Sequence, residues 1–177
     1  MLAVSDPSNP LSGGRGLREI AQAPGICKVF LWQNVATTLW FGKATADAVS
    51  LLYRVTADLR QALPEGMSSV YILRAGLGLP EPAAREGLIR MSNDFADWLA
   101  GVAVVVAGSG FWASTFRSVV TAMRLLGPRT YEMRIHSTFE EVVEWLPAVH
   151  LKRTGVAIDA AELLAVLREI DASVPES

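Results

Sequence analysis

One stretch constrains the fold more than any other: residues 102–106, Val-Ala-Val-Val-Val, run directly into the glycine turn at 108–110. An unbroken apolar run rich in β-branched residues is typical of a strand buried on both faces, inside a parallel sheet. After the turn, apolar residues recur at helical spacing, at Trp112, Phe116, Val119, Val120, Met123 and Leu126. The sequence therefore predicts a central strand that feeds a helix through a tight loop.

The segments on either side alternate between strand and helix patterns. Residues 26–33 and 36–41 are rich in β-branched and aromatic residues, and the short break at Asn34-Val35 predicts a hairpin. After one helix, three strand–helix units follow, with strands predicted at 70–73, 102–106 and 131–136. We therefore expect an α/β fold with a mostly parallel sheet and an N-terminal antiparallel hairpin, in the order ββαβαβαβα plus an extra C-terminal helix.

Local signals set several element boundaries. Gly101 is placed to end the second helix and Pro147 to close the fourth, because glycine favours a helix C-terminus and proline interrupts a helix. Residues 131–136 alternate between apolar and polar side chains, which predicts a half-buried strand at the edge of the sheet. The short piece 17–20 predicts one turn of helix.

Composition divides the chain into three parts. Residues 1–24 hold clusters of Ser, Gly, Pro and Asn, which predict a flexible N-terminal tail. Residues 25–150 carry the alternating strands and helices and are expected to form one domain. Residues 151–177 are expected to form a C-terminal helical extension whose helix is capped by Asp159.

Charge and apolar content limit the class of protein. A formal net charge of −2 argues against a general nucleic-acid binder. The run 102–107 is far shorter than the roughly 20 apolar residues that cross a bilayer, so no transmembrane segment is expected. The first six residues lack the basic and apolar regions of a signal peptide. With Cys27 as the single cysteine, we expect a cytoplasmic, reducing location.

The segment from Gly108 to Ala113 matches the G-x-G-x-x-A pattern of dinucleotide-binding loops. That pattern belongs on the first strand of such a fold, and here Phe111 and Trp112 bring bulk to the place where a phosphate would pass. A tight strand-to-helix turn is the favoured interpretation. Two histidines and one cysteine, without clustered acidic residues, do not favour a zinc or di-iron site. We expect no enzyme activity, no cofactor and no metal.

Residues 26–150 resemble the STAS superfamily, particularly its SpoIIAA-like branch, which is related by fold to the SEC14 lipid-transfer domains. The resemblance rests on the opening strand pair, on the apolar strand 102–106, and on residues 141–146, Glu-Val-Val-Glu-Trp-Leu, which are similar to a family helix ending in Ala-x-x-Trp-Leu. It implies a bacterial, non-enzymatic regulatory module. The phosphorylatable Asp-Ser-Ser/Thr-Gly motif of the anti-sigma-factor antagonists is absent, since loop 74–79 reads Arg-Ala-Gly-Leu-Gly-Leu.

Two functional hypotheses follow. The first is a STAS-like regulatory or protein-interaction module, with a protein partner or a second copy of the chain. The alternative is a binding domain for a small apolar (lipid-like) or nucleotide ligand at the loops that follow the strands. The candidate binding residues are Gly76, Gly78, Gly108, Ser109, Gly110, Phe111, Arg117 and Arg124. A deep apolar cavity behind 76–80 and 108–112 favours a ligand, whereas a filled core with a flat apolar patch favours a partner.

Overall fold

The computed structural model describes residues 16–106, 110–125 and 130–174. The elements in these ranges are β1 Arg18–Ala23, β2 Cys27–Trp32, β3 Val35–Trp40, α1 Ala46–Ala62, β4 Met67–Leu73, α2 Pro82–Asp94, β5 Leu99–Val106, α3 Phe111–Leu125, β6 Glu132–His136, α4 Phe139–Thr154 and α5 Ala160–Ala172. The predicted α/β order is confirmed from β2 onward. One further strand, β1, precedes it.

The six strands form one mixed sheet in the order β1-β2-β3-β4-β5-β6. Strands β1 to β3 are antiparallel, and β3 to β6 are parallel, as the predicted hairpin and strand–helix units require. All eight residues of β5 are buried, which agrees with its unbroken apolar sequence. It lies second from one edge rather than at the centre, and β6 occupies that edge as predicted.

Helices cover both faces of the sheet and create two hydrophobic cores. The first core packs α1, α2 and α3 on one face, and the second core packs α4 and α5 on the other. Strand β5 contributes to both, because Val102, Val104 and Val106 face the first core while Ala103 and Val105 face the second. The helix predicted as a C-terminal extension, α5, thus belongs to the domain core through Leu163, Leu167 and Ile170, which are fully buried.

The predicted hairpin is present, with its two-residue turn one position earlier than expected. Trp32 pairs with Val35, so Gln33 and Asn34 form the turn, and Gln33 takes a positive φ of 49°. The Asn34 side chain anchors the turn by donating to Glu65 Oε1 at 2.7 Å and to the Gly66 carbonyl at 3.2 Å. Its buried amide is therefore hydrogen-bonded, as a buried polar group requires.

The predicted helical turn at residues 17–20 is wrong, and the predicted tail is ordered over residues 18–23. This segment forms β1, which pairs antiparallel with β2 and carries an ion pair between Lys28 Nζ and Glu19 Oε2 at 3.0 Å. Residues 18–23 form a strand because the edge of β2 would otherwise leave its backbone N–H and C=O groups unpaired. This pairing depends on the tertiary structure, so local sequence signals do not reveal it. The rest of the predicted tail, residues 1–15, lies outside the described residues.

Two predicted helix ends are also wrong, since Gly101 and Pro147 both lie inside elements. Gly101 is in β5, where a Cβ would sit 3.1 Å from Val149 Cγ1 and 3.3 Å from Leu146 Cδ1. The missing side chain therefore allows α4 to pack closely on β5. Helix α4 continues through Pro147 and ends at Gly155, which has a φ of 73°. Buried residues on both sides of Pro147 hold this helix against the sheet, so packing outweighs the local preference.

Deleting residues 1–22 is expected to lower the melting temperature by roughly 5 °C. The deletion removes the hydrogen bonds between β1 and β2, together with Ile20 and Ala21, which pack against the first core. Thermal unfolding followed by circular dichroism measures this, with deletion of residues 1–15 as the control that keeps β1. Equal melting temperatures for the two deletions would show that β1 contributes nothing to stability.

Candidate functional site

A cavity of about 120 Å³ lies between α2 and α3, on the face of the sheet that carries the first core. Tyr71 and Val104 are register neighbours on β4 and β5, and with Met133 of β6 they form its floor. The walls are Leu88, Ile89 and Met91 of α2 and Phe116, Val119 and Val120 of α3. We refer to this space as the apolar pocket.

The loops that follow β3 and β4 close one end of the apolar pocket. Gly42 comes from the first loop, and Leu77, Gly78 and Pro80 come from the second. Both loops lie at the carboxyl ends of parallel strands, which is where open α/β sheets bind ligands. Leu77 is buried here, while Leu79 in the same loop is 45% exposed.

Every described residue that lines the apolar pocket is uncharged. Among them, the groups able to hydrogen-bond through side chains are on Trp40, Tyr71, Ser92, Asn93 and Tyr131. Burial is the main factor that raises the pKa of Tyr71 above its ordinary value, and the nearby Tyr131 adds to the increase, while a hydrogen bond with Ser69 opposes it. Tyr71 therefore presents a neutral hydroxyl group at physiological pH.

Some of the candidate binding residues predicted from the sequence lie in the described ranges, and others lie outside them. Gly78 lines the apolar pocket, and Gly76 lies in the same loop with a φ of 84°, a conformation that glycine adopts readily. Gly110 precedes α3 with a φ of 88° and has open space where a side chain would be. Gly108 and Ser109 lie outside the described residues. Their functional roles stay predictions.

The remaining candidates are on α3. Arg117 is partly buried, and its Nη2 donates to Ser137 Oγ at 3.0 Å and to the Val106 carbonyl at 3.5 Å. It thereby joins α3 to the carboxyl end of β5 and to the segment before α4. Phe111 and Arg124 lie within the bounds of α3, but their side chains fall outside the described residues. A partner-binding role for these three residues stays a prediction.

Sequence reasoning missed the polar groups of the apolar pocket. Tyr71 lies in the strand predicted at 70–73, and Tyr131 begins the segment predicted to form an edge strand. Tyr71 and Tyr131 are far apart in the sequence, so the sequence does not show that they line the same cavity. The signal available in the sequence is the hydroxyl-bearing residues that interrupt the apolar run 67–73, at Ser68, Ser69 and Tyr71.

The other buried titratable groups lie away from the apolar pocket. His150 is fully buried on α4, with its Nδ1 hydrogen-bonded to Ser68 Oγ at 2.8 Å. Burial lowers the pKa of His150 to about 4, although the Glu65 carboxylate acts in the opposite direction. Burial also raises the pKa of the Cys27 thiol to about 11, as expected for an unreactive core cysteine.

The described part of the chain shows neither a cluster of metal-ligating side chains nor a membrane-spanning helix. No group of three or more His, Cys, Asp or Glu side chains there is arranged to hold a metal ion. Within the same ranges, none of the helices combines the length and the apolar character that crossing a bilayer requires.

Comparison with known proteins gives similarity among solved structures alone. No family model matches the chain, and no curated protein is significantly similar to it. Among solved structures, the chain is similar to an uncharacterised protein of the DUF3478 family from Shewanella loihica PV-4, with 15% sequence identity and a TM-score of 0.46. The match covers 76% of this chain and 97% of that chain. That protein has a SpoIIAA-like fold.

Proposed function

We propose that this protein is a cytoplasmic, non-enzymatic STAS-like module that binds a small apolar ligand between α2 and α3. The observation that carries the proposal is the apolar pocket, a cavity of about 120 Å³ with an uncharged lining. An engineered protein cavity of roughly 150 Å³ with similar apolar walls binds benzene. The apolar pocket therefore suits a single ring or a short branched chain.

The composition of the lining supports binding rather than catalysis. Small-molecule sites in proteins are mainly apolar, with a few polar groups that orient the ligand. General acid–base chemistry needs groups that change protonation near the working pH. The described lining supplies neutral groups instead: the indole N–H of Trp40, and the hydroxyl and amide groups of Tyr71, Tyr131, Ser92 and Asn93.

A regulatory role with a protein partner is the second part of the proposal, and α3 supports it. One side of α3 forms a wall of the apolar pocket through Val119 and Val120, while Ser118, Thr121 and Leu125 are exposed. A ligand that shifts α3 would also shift its exposed side, where a partner can bind. Differential binding of the ligand to two positions of α3 would be the physical basis of such coupling.

Toluene is expected to stabilise the protein, and filling the apolar pocket is expected to abolish this effect. A ligand that binds only the folded state, present at a few times its Kd, raises the melting temperature of a chain of this size by roughly 2–4 °C. The variant Val120→Trp places an indole in the space that toluene would occupy, so its melting temperature should not respond to toluene. Thermal unfolding with and without toluene measures both effects.

The matched control is Thr121→Trp, which adds the same indole at the next, exposed position of α3. It should retain the full response to toluene. Ile89→Trp fills the apolar pocket from the α2 wall. This second variant shows whether a lost response to toluene comes from filling the pocket or from a disturbance of α3. Full toluene stabilisation of both folded pocket-filling variants would contradict the proposed site.

A further inference from the structure

A group of hydroxyl-bearing side chains adjoins the apolar pocket. A second, smaller cavity of about 20 Å³ is bordered by five such residues, which we call the hydroxyl cluster: Thr56, Ser69, Tyr71, Ser92 and Tyr131. A space of this size holds about one water molecule. Tyr71, Ser92 and Tyr131 also line the apolar pocket, so the hydroxyl cluster forms one end of it.

The hydroxyl cluster lies away from the loops that close the other end. Ser92 is in the last turn of α2, and Tyr131 directly precedes β6, so both lie toward the amino ends of the parallel strands. Gly42, Gly78 and Pro80 follow the carboxyl ends of β3 and β4. A ligand in the apolar pocket therefore contacts loops at one end and hydroxyl groups at the other.

We propose that the ligand is a small uncharged amphiphile, an apolar ring or short branched chain bearing one neutral hydroxyl or carbonyl group directed at Tyr71 and Tyr131. This inference rests on the proposed function and specifies its ligand class. Hydroxyl groups can both donate and accept hydrogen bonds, so they satisfy a buried alcohol or carbonyl without a charged partner. Tyr71 and Tyr131, which line both cavities, are the residues that determine specificity.

The distribution of charge argues against an ionic ligand. A buried charge without a counter-ion carries a large desolvation cost, and none of the described residues lining the apolar pocket is charged. Lys43 is a nearby cation, and its Cγ and Cδ lie 3.5 Å from the position that a Cβ on Gly78 would take. Its Nζ is 3.7 Å from Glu81 Oε1 and its side chain is 54% exposed, so it lies outside the hydroxyl end and beside a carboxylate.

Four probes that share a p-tolyl ring test the ligand class: toluene, p-cresol, 4-methylbenzoate and 4-methylbenzylammonium. Their affinities for the full chain are measured by ligand-observed NMR at neutral pH. We expect p-cresol to bind about fivefold more tightly than toluene, the effect of one net hydrogen bond. The two ions should bind at least about fiftyfold more weakly than p-cresol, because their charge would be buried without a partner.

The three tyrosines of the chain provide matched variants for the same measurement. Tyr71→Phe and Tyr131→Phe should each bring p-cresol to within about twofold of toluene while leaving the affinity for toluene unchanged. Tyr53→Phe is the control, because the Tyr53 hydroxyl donates to Asp94 Oδ2 at 2.9 Å and lines neither cavity. It should keep the full preference for p-cresol.

The outcomes separate this inference from the proposed function on which it rests. Toluene and p-cresol binding equally to the unaltered protein would overturn the ligand class and leave the apolar site standing. If either ion binds as tightly as p-cresol, the ligand class is also overturned while the apolar site stands. Tight binding of the anion would point to Lys43, and tight binding of the cation to a carboxylate near the loops. If none of the four probes binds, the proposed function fails as well.

Discussion

Val70→Asp is expected to leave the protein unfolded. Val70 is fully buried in β4, near the middle of the sheet, and it faces the second core. Its register neighbours are Thr37 on β3 and Ala103 on β5, neither of which can neutralise a carboxylate. Burying an unpaired acid costs several kcal/mol even when the acid takes up a proton, and this is comparable with the whole stability of a typical domain.

Far-UV circular dichroism and urea unfolding measure the effect of Val70→Asp. Ala148→Asp is the matched control, because it adds the same carboxylate at an exposed position of α4 and should lower stability by less than about 1 kcal/mol, mainly through helix propensity. A folded Val70→Asp variant with the melting temperature of the unaltered protein would contradict the central position of β4 in the sheet.

The free energy of unfolding is expected to fall by roughly 3 kcal/mol as the pH drops from 6.5 to 4. Burial of His150 lowers its folded-state pKa from 6.5 to about 4. Between these two values the unfolded chain binds a proton at His150 that the folded chain excludes. The stabilisation is therefore complete above pH 6.5 and is lost as the pH falls toward 4.

His150→Leu should remove most of this pH dependence, since leucine is apolar and does not titrate. His136→Gln is the comparison, because burial also lowers the pKa of His136, while Glu141, whose Oε2 is 3.8 Å from Nδ1, opposes the shift. The His136→Gln variant should still show most of the fall in the free energy of unfolding between pH 6.5 and 4. Urea unfolding across this pH range gives the free energies, and an unchanged pH dependence in His150→Leu would contradict the assigned role of His150.

The sequence predicted the parts of the fold that depend on local patterns. The β-branched run 102–106 and the paired runs before α1 indicate strands because their own residues favour them. Strand β1 escaped prediction because Arg18, Glu19 and Gln22 are polar and their partner is the edge of β2. Gly101 and Pro147 resemble helix ends locally, but packing between α4 and β5 decides their positions.

The candidate site was less accessible from the sequence. Gly78 was predicted as a binding residue because a glycine-rich loop after a strand is a local feature. It lines the apolar pocket, and its binding role stays a prediction. Tyr71 and Tyr131 were not recognised, because they come together only when β4 and β6 are placed on either side of β5. The space between α2 and α3 results from how the helices pack, and no local residue pattern predicts a cavity.

The most direct test of the account is to locate bound toluene by methyl NMR of the full chain. Signals of Leu88, Val104 and Val120, which line the apolar pocket, are expected to shift as toluene is added. Signals of Leu163 and Leu167, buried in the second core on the opposite face of the sheet, should stay in place. Unchanged signals from all three pocket residues at saturating toluene would contradict a ligand site between α2 and α3.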